Sequence, residues 1–97
     1  MPSPSSKPGV ERAGETLRFA GALTREAVAS LWPHATRVLD GVRVFDLRDV
    51  PRVDSAGVAL LAELAARVVP PPAIQGEPDG YQALCAAYRL GPTLAFT

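Results

Sequence analysis

"FDLRDVPRVDSAGVALLAEL", residues 45–64, passes from an aromatic and apolar stretch through a polar connection into a segment rich in alanine and leucine. Its start belongs to "VRVFDL", residues 42–47, whose β-branched and aromatic residues mark the strongest strand of the chain. Alternation puts Val42, Val44 and Asp46 on one face of that strand and Arg43, Phe45 and Leu47 on the other. After "RDVPRV", the residues "DSAG" open a helix. Its apolar face is Val58, Leu61, Leu64, Ala65 and Val68, and Glu63 and Arg67 stand at i,i+4 spacing outside. "PPP" at 70–72 stops that helix, because proline has no N–H to donate and clashes with the preceding turn.

Upstream, Leu17 and Phe19 alternate with Thr16 and Arg18 in the pattern of a half-buried strand. Ala13-Gly14 reads as a turn from an earlier extended piece that is poor in β-formers. "LTREAVASLW" is the next helix, with Thr24 as an N-cap whose hydroxyl accepts a backbone N–H. Ala27, Val28, Leu31 and Trp32 form its apolar stripe, and Pro33 either ends it near Trp32 or kinks it ahead of Gly41. Downstream, "AIQG" is a short fourth strand by position. "PDGYQALCAAYRLG" is a last helix with Asp79 as cap, a Tyr81-Leu84-Tyr88 stripe and Gly91-Pro92 as its end. The order β-β-α-β-α-β-α predicts an α/β fold, a small mixed β-sheet of about four strands with helices packed mainly on one face. Residues 1–9 are rich in proline and serine and read as a disordered tail, and residues 10–97 as a single domain.

Composition narrows the function. Ten acidic and ten basic residues cancel, which leaves no electrostatic footprint for nucleic acid or an anionic lipid surface. No apolar run is long enough to span a bilayer, so no direct membrane insertion is expected. The stretch "MPSPSSKPG" lacks the apolar middle of a signal peptide, and a cytoplasmic location is expected. Cys85 and His34 are the sole cysteine and histidine, which excludes a disulfide and a thiolate metal cluster. Asp46 and Asp49 offer two carboxylates without a third ligand. Ser55 has no histidine near it in sequence to activate it. The expectation is therefore a chain without catalytic residues, metal or cofactor.

The doorway of the central helix carries the functional argument. Asp54 or Ser55 occupies the N-cap, where unpaired backbone N–H groups point outward and a negative group is favoured. Gly57, inside the first turn, lets another backbone approach closely at about 1 kcal/mol of helix propensity. Ala56 keeps the turn small, and Arg52 stands ready to pair with Asp54 or with a partner's carboxylate. Ser55 is then an exposed hydroxyl on a surface another protein inspects. Trp32 and Tyr88 are aromatic candidates for the same contact, since aromatics are enriched at interface centres. Cys85 on the apolar side of its helix reads as a small hydrophobe.

This pattern resembles the STAS family, named for sulfate transporters and anti-sigma-factor antagonists. The carrying residues are a strand ending in Asp46-Leu47, a short loop, and Asp54-Ser55-Ala56-Gly57 before an apolar helix. The likeness runs from about Gly14 to Leu90. It implies a small mixed sheet with helices packed on it, and it makes Ser55 the phosphoacceptor position of the anti-sigma-factor antagonists. The pieces "AGALTREAVASLW", "RVDSAGVALLAEL" and "IQGEPDGYQALCAAYRL" resemble a second branch, the small STAS subunits of Mla-type phospholipid ABC transporters. That likeness implies docking on the ATPase subunit, within a complex that also holds permease and lipid-binding subunits. The location implied is peripheral on the inner membrane through that complex. One departure is "VVPPP" at 68–72, where the family has a polar, glycine-containing turn.

Overall fold

The computed structural model describes residues 9–91. Most of the proline- and serine-rich stretch expected as a tail, residues 1–8, lies outside them, as does Pro92. The elements follow the expected order: β1 (Gly9–Ala13), β2 (Thr16–Ala20), α1 (Arg25–Arg37), β3 (Val44–Asp49), α2 (Ser55–Ala66), β4 (Ala73–Gln75) and α3 (Tyr81–Ala87). They build one mixed sheet in the order β1-β2-β3-β4, with β1 antiparallel to β2 and the other neighbours parallel. Strands are added in one direction only, so the right-handed crossovers leave α1 and α2 on a single face, and α3 joins the same core through Tyr81 and Cys85. No helix among the described residues is long and apolar enough to cross a membrane.

The helix-side face of the sheet is the core. Leu17 and Phe19 of β2 and Phe45 and Leu47 of β3 are fully buried there, and the two phenylalanine rings meet edge to face at 5.7 Å. Leu31 and Ala35 of α1 and Val58, Leu61 and Leu64 of α2 close over them. The opposite face carries a polar row at one register level: Glu11, Arg18, Asp46 and Gln75 pair in turn across the four strands. Asp46 is buried although it faces that open side. Arg48 clasps both its oxygens, at 3.0 and 2.9 Å, and Arg18 stands 3.8 Å away. These bonds hold the Asp46 carboxyl below its ordinary pKa against the opposing effect of burial.

Local details depart from expectation in instructive ways. The central strand begins two residues later than expected, at Val44, although Val42 is buried. Of the two courses open at Pro33, α1 takes the longer: it passes through the proline and continues to Arg37, short of Gly41. The hydroxyl of Thr36 donates to the carbonyls of Trp32 and Pro33 in the turns around it. β1, weak in sequence, pairs with β2 along its whole length. Arg12 explains much of its attachment, because its guanidinium donates to the carbonyls of Val38 and Asp40, both at 2.7 Å, where α1 ends. Glu63 and Arg67 do not form an ion pair among the described residues. Arg67 lies instead over the face of Trp32, 5.1 Å from the ring centre.

The last helix is shorter than its sequence span. Asp79 does not cap it: Gly80 holds the N-cap position with φ +85°, and no side chain caps the helix. α3 ends at Ala87 in a Schellman turn, with Arg89 at φ +57°, Arg89 N–H bonded to Ala86 O and Leu90 N–H bonded to Cys85 O. That closure uses Arg89 where the sequence had suggested Gly91. Tyr81 and Cys85 face the core, while Tyr88 lies at the exposed margin of the expected stripe.

Candidate functional site

The three parallel strands deliver their chains to the same end of the sheet, and their loops are laced together there. Leu23 N–H bonds to Arg52 O at 3.0 Å, and Asp54 N–H returns a bond to Leu23 O at 3.1 Å. Val53 N–H bonds to Asp79 O, and Asp79 N–H to Pro51 O, both at 3.0 Å. The backbone of Asp79 thus serves the lacing between loops. Because the helices all lie on one face, this end has no reversal of strand order at which a ligand crevice would open. It is a stitched surface from which the mouths of α1, α2 and α3 project.

At its centre lies the motif. Asp54 is the N-cap of α2, and its Oδ1 accepts the Gly57 N–H at 2.9 Å. Its Oδ2 accepts the N–H of Arg25, the first residue of α1, at 3.0 Å. One carboxylate therefore satisfies two helix N-termini. Thr24 sits at the N-cap position of α1 as expected, but its hydroxyl makes no capping bond; the Asp54 carboxylate, arriving from the neighbouring loop, takes that part. Burial pushes the Asp54 carboxyl up, yet the N–H groups of Gly57, Arg25 and Ala56 and the Arg25 charge more than offset it. Its pKa is lowered and it stays ionised.

Gly57 is buried against the loop that follows β2. A Cβ placed on it would collide with the Leu23 carbonyl oxygen and lie 2.9 Å from Leu23 Cβ. The close backbone approach expected from sequence is thus made, and the approaching segment is Leu23. Ala56 is half-buried between these contacts. Ser55, the first residue of α2, is exposed and makes no side-chain hydrogen bond among the described residues. Arg52 is exposed beside it and forms no ion pair with Asp54, whose two oxygens already hold backbone N–H groups.

The structure brings Arg52, Asp54, Ser55, Ala56 and Gly57 together and sets the two aromatic candidates apart. Trp32 is half-buried and stacks under Arg67, the C-cap of α2, at the far end of a 12-residue helix. That helix is roughly 18 Å long. Tyr88 is the C-cap of α3, 43% exposed, and likewise stands a helix length from the laced end. A surface that used all seven would run along the helix layer. The residues that sequence reasoning missed are Leu23 and Arg25, which contribute a backbone carbonyl and a backbone N–H. Such groups carry no residue-type signal, and they reach the motif across 29 positions of sequence in the case of Arg25. Among the described residues no three His, Cys, Asp or Glu side chains gather into a group able to hold a metal ion.

The sheet order, the one-sided helix layer and the Asp54–Gly57 doorway together define a small STAS-like α/β domain. No family model matches the chain. It is 32% identical over 80 residues to the intermembrane phospholipid transport system binding protein MlaB of Escherichia coli (strain K12), covering 79% of this chain and 82% of that protein. MlaB of Shigella flexneri matches with the same identity and coverage. The chain belongs to the MlaB family.

Proposed function

We propose that this chain is the non-catalytic STAS-like subunit of a Mla-type phospholipid ABC transporter. It docks on the ATPase subunit, within a complex that also holds permease and lipid-binding subunits, and supports the assembly and activity of that ATPase in maintaining outer-membrane lipid asymmetry. Its place is then cytoplasmic, peripheral on the inner membrane through the complex. The relatives support the transport setting by their name, which is that of a phospholipid transport system binding protein. The observation that carries the docking surface is Ser55: an exposed hydroxyl at the start of α2, while Asp54 and Gly57 on either side are committed to the domain's own structure.

A hydroxyl at the centre of such a contact contributes about 0.5–1.5 kcal/mol when bonded. A long charged side chain in its place costs far more, through clash and desolvation. Ser55→Arg is therefore expected to abolish co-purification with the ATPase subunit while circular dichroism and the melting temperature stay near wild type. A folded Ser55→Arg variant recovered with the ATPase at wild-type yield removes Ser55 from the interface. The alternative, an anti-sigma-factor antagonist switched by phosphorylation of Ser55, uses the same exposed hydroxyl. It would set a phosphate beside the ionised Asp54, which makes docking the preferred reading. Intact-mass analysis after incubation with a partner kinase separates the two, since stoichiometric phosphate on Ser55 belongs to the switch alone.

A further inference from the structure

We propose that Asp54 is a positioning residue: with one carboxylate oxygen on the Arg25 N–H and the other on the Gly57 N–H, it locks the mouth of α1 to the mouth of α2 and so sets the direction in which Ser55 meets its partner. The inference rests on the docking reading and deepens it, by assigning the cause of the geometry that the partner reads. Ser55 has no side-chain hydrogen bond of its own among the described residues, so its direction is inherited from the backbone of the first turn of α2. That turn is anchored at Asp54 through Gly57. Asp54 has a short side chain, and with both oxygens engaged it cannot rotate without breaking a bond to one helix or the other. The first N–H groups of a helix have no partner within it, so the Arg25 N–H depends on a group from outside α1. Thr24 does not supply that group. The latch is therefore a single carboxylate shared between helices that begin 30 positions apart, Arg25 against Ser55.

The latch can be opened from the backbone side. Arg25 is the first helical residue of α1, a position where proline is well tolerated because its missing N–H is not needed within the helix. Thr24 already has the extended dihedrals, φ −111° and ψ 173°, that a following proline requires. Arg25→Pro thus deletes the bond to Asp54, and Arg25→Ala removes the same side chain while keeping the N–H. Binding of each variant to the purified ATPase subunit is measured alongside wild type and Ser55→Arg, with thermal melts to confirm folding. The expected result is that Arg25→Pro binds roughly tenfold more weakly than Arg25→Ala, the loss appropriate to one charge-assisted hydrogen bond.

Equal affinities for a folded Arg25→Pro and Arg25→Ala overturn the positioning role. If Ser55→Arg still abolishes binding in that case, the docking reading survives alone. If Ser55→Arg binds like wild type, both fall. Should the proline variant fail to fold, Asp54→Ser takes its place, since its short hydroxyl can still accept the Gly57 N–H but cannot span to Arg25. Hydrogen exchange should then show the Arg25 amide opening while the amides along α2 stay protected, together with the same roughly tenfold loss of binding. Retained affinity in that variant, with the Arg25 amide freed, also overturns the proposal.

Discussion

Replacing Gly57 by alanine should destabilise the domain, although alanine is the better helix former by about 1 kcal/mol. The added Cβ would meet the Leu23 carbonyl oxygen well inside contact distance, with Leu23 Cβ at 2.9 Å and Leu23 carbonyl carbon at 3.0 Å. Unbonded carbons sit comfortably at about 3.5–4.0 Å and the carbonyl oxygen lies closer still, so α2 and the loop after β2 would have to part by roughly 1 Å. Leu23 has nowhere to retreat: its side chain is fully buried, its N–H holds Arg52 O, and its carbonyl holds the Asp54 N–H. Overpacking of this kind costs about 1–3 kcal/mol, and weakening one laced backbone bond adds about 1 kcal/mol. Against the gain in propensity, the net loss is roughly 1–3 kcal/mol. Urea denaturation followed through Trp32 fluorescence measures it as a lower midpoint at unchanged slope. A Gly57→Ala protein as stable as wild type, or more so, would refute the claim that close approach to Leu23 is the reason for glycine here.

Acid should loosen the fold through two carboxylates. Asp46 and Asp54 have lowered folded pKa values, so their stabilisation is present above the unfolded value of about 4 and is lost as pH falls through the folded ones. Melts between neutral pH and pH 3 should show this loss, with a shallower dependence in Asp46→Asn, and an unchanged slope in that variant would contradict the account of Asp46. Cys85 is 9% exposed, and its thiol is pushed up by burial more than the Tyr81 hydroxyl lowers it. A thiol reagent at neutral pH should therefore modify it only as the domain opens, roughly a hundredfold more slowly than in the denatured chain. Equal rates would show the last helix to be undocked in solution.

The order of elements, the mixed sheet and the one-sided helix layer could be read directly from the chain, because each rests on periodicity and on breakers. The alternation of Leu17 and Phe19, the run Val44–Leu47 and the triplet Pro70–Pro72 speak locally and unambiguously. The identity of the helix caps did not. Thr24 and Asp79 carry the right chemistry at the right places, yet at α1 the bond comes from Asp54 in another loop, and at α3 no side chain supplies one. Arg12 is the sharpest instance. In the sequence it is one more charge in a weak strand, and in the fold it binds the carbonyl end of α1 from 26 residues away. Trp32 and Tyr88 show the converse, since residue type proposed them for one surface that the length of α2 and α3 divides.

The motif itself divides its labour in a way that bears on function. Asp54 is consumed by two helix mouths and Gly57 by the Leu23 backbone, so both can act on a partner only through the domain's own geometry. Ser55 stands between them with its side chain outside the domain's own bonding among the described residues. A first-turn residue of a capped helix has no need of a hydroxyl for stability, since the cap is made by its neighbour. The bare face of the sheet offers little competition as a docking surface, because Glu11, Arg18, Asp46 and Arg48 neutralise one another across it. The doorway therefore divides three ways: residue 57 serves stability, residue 55 is left free to meet the partner, and residue 54 sets the direction in which it does so.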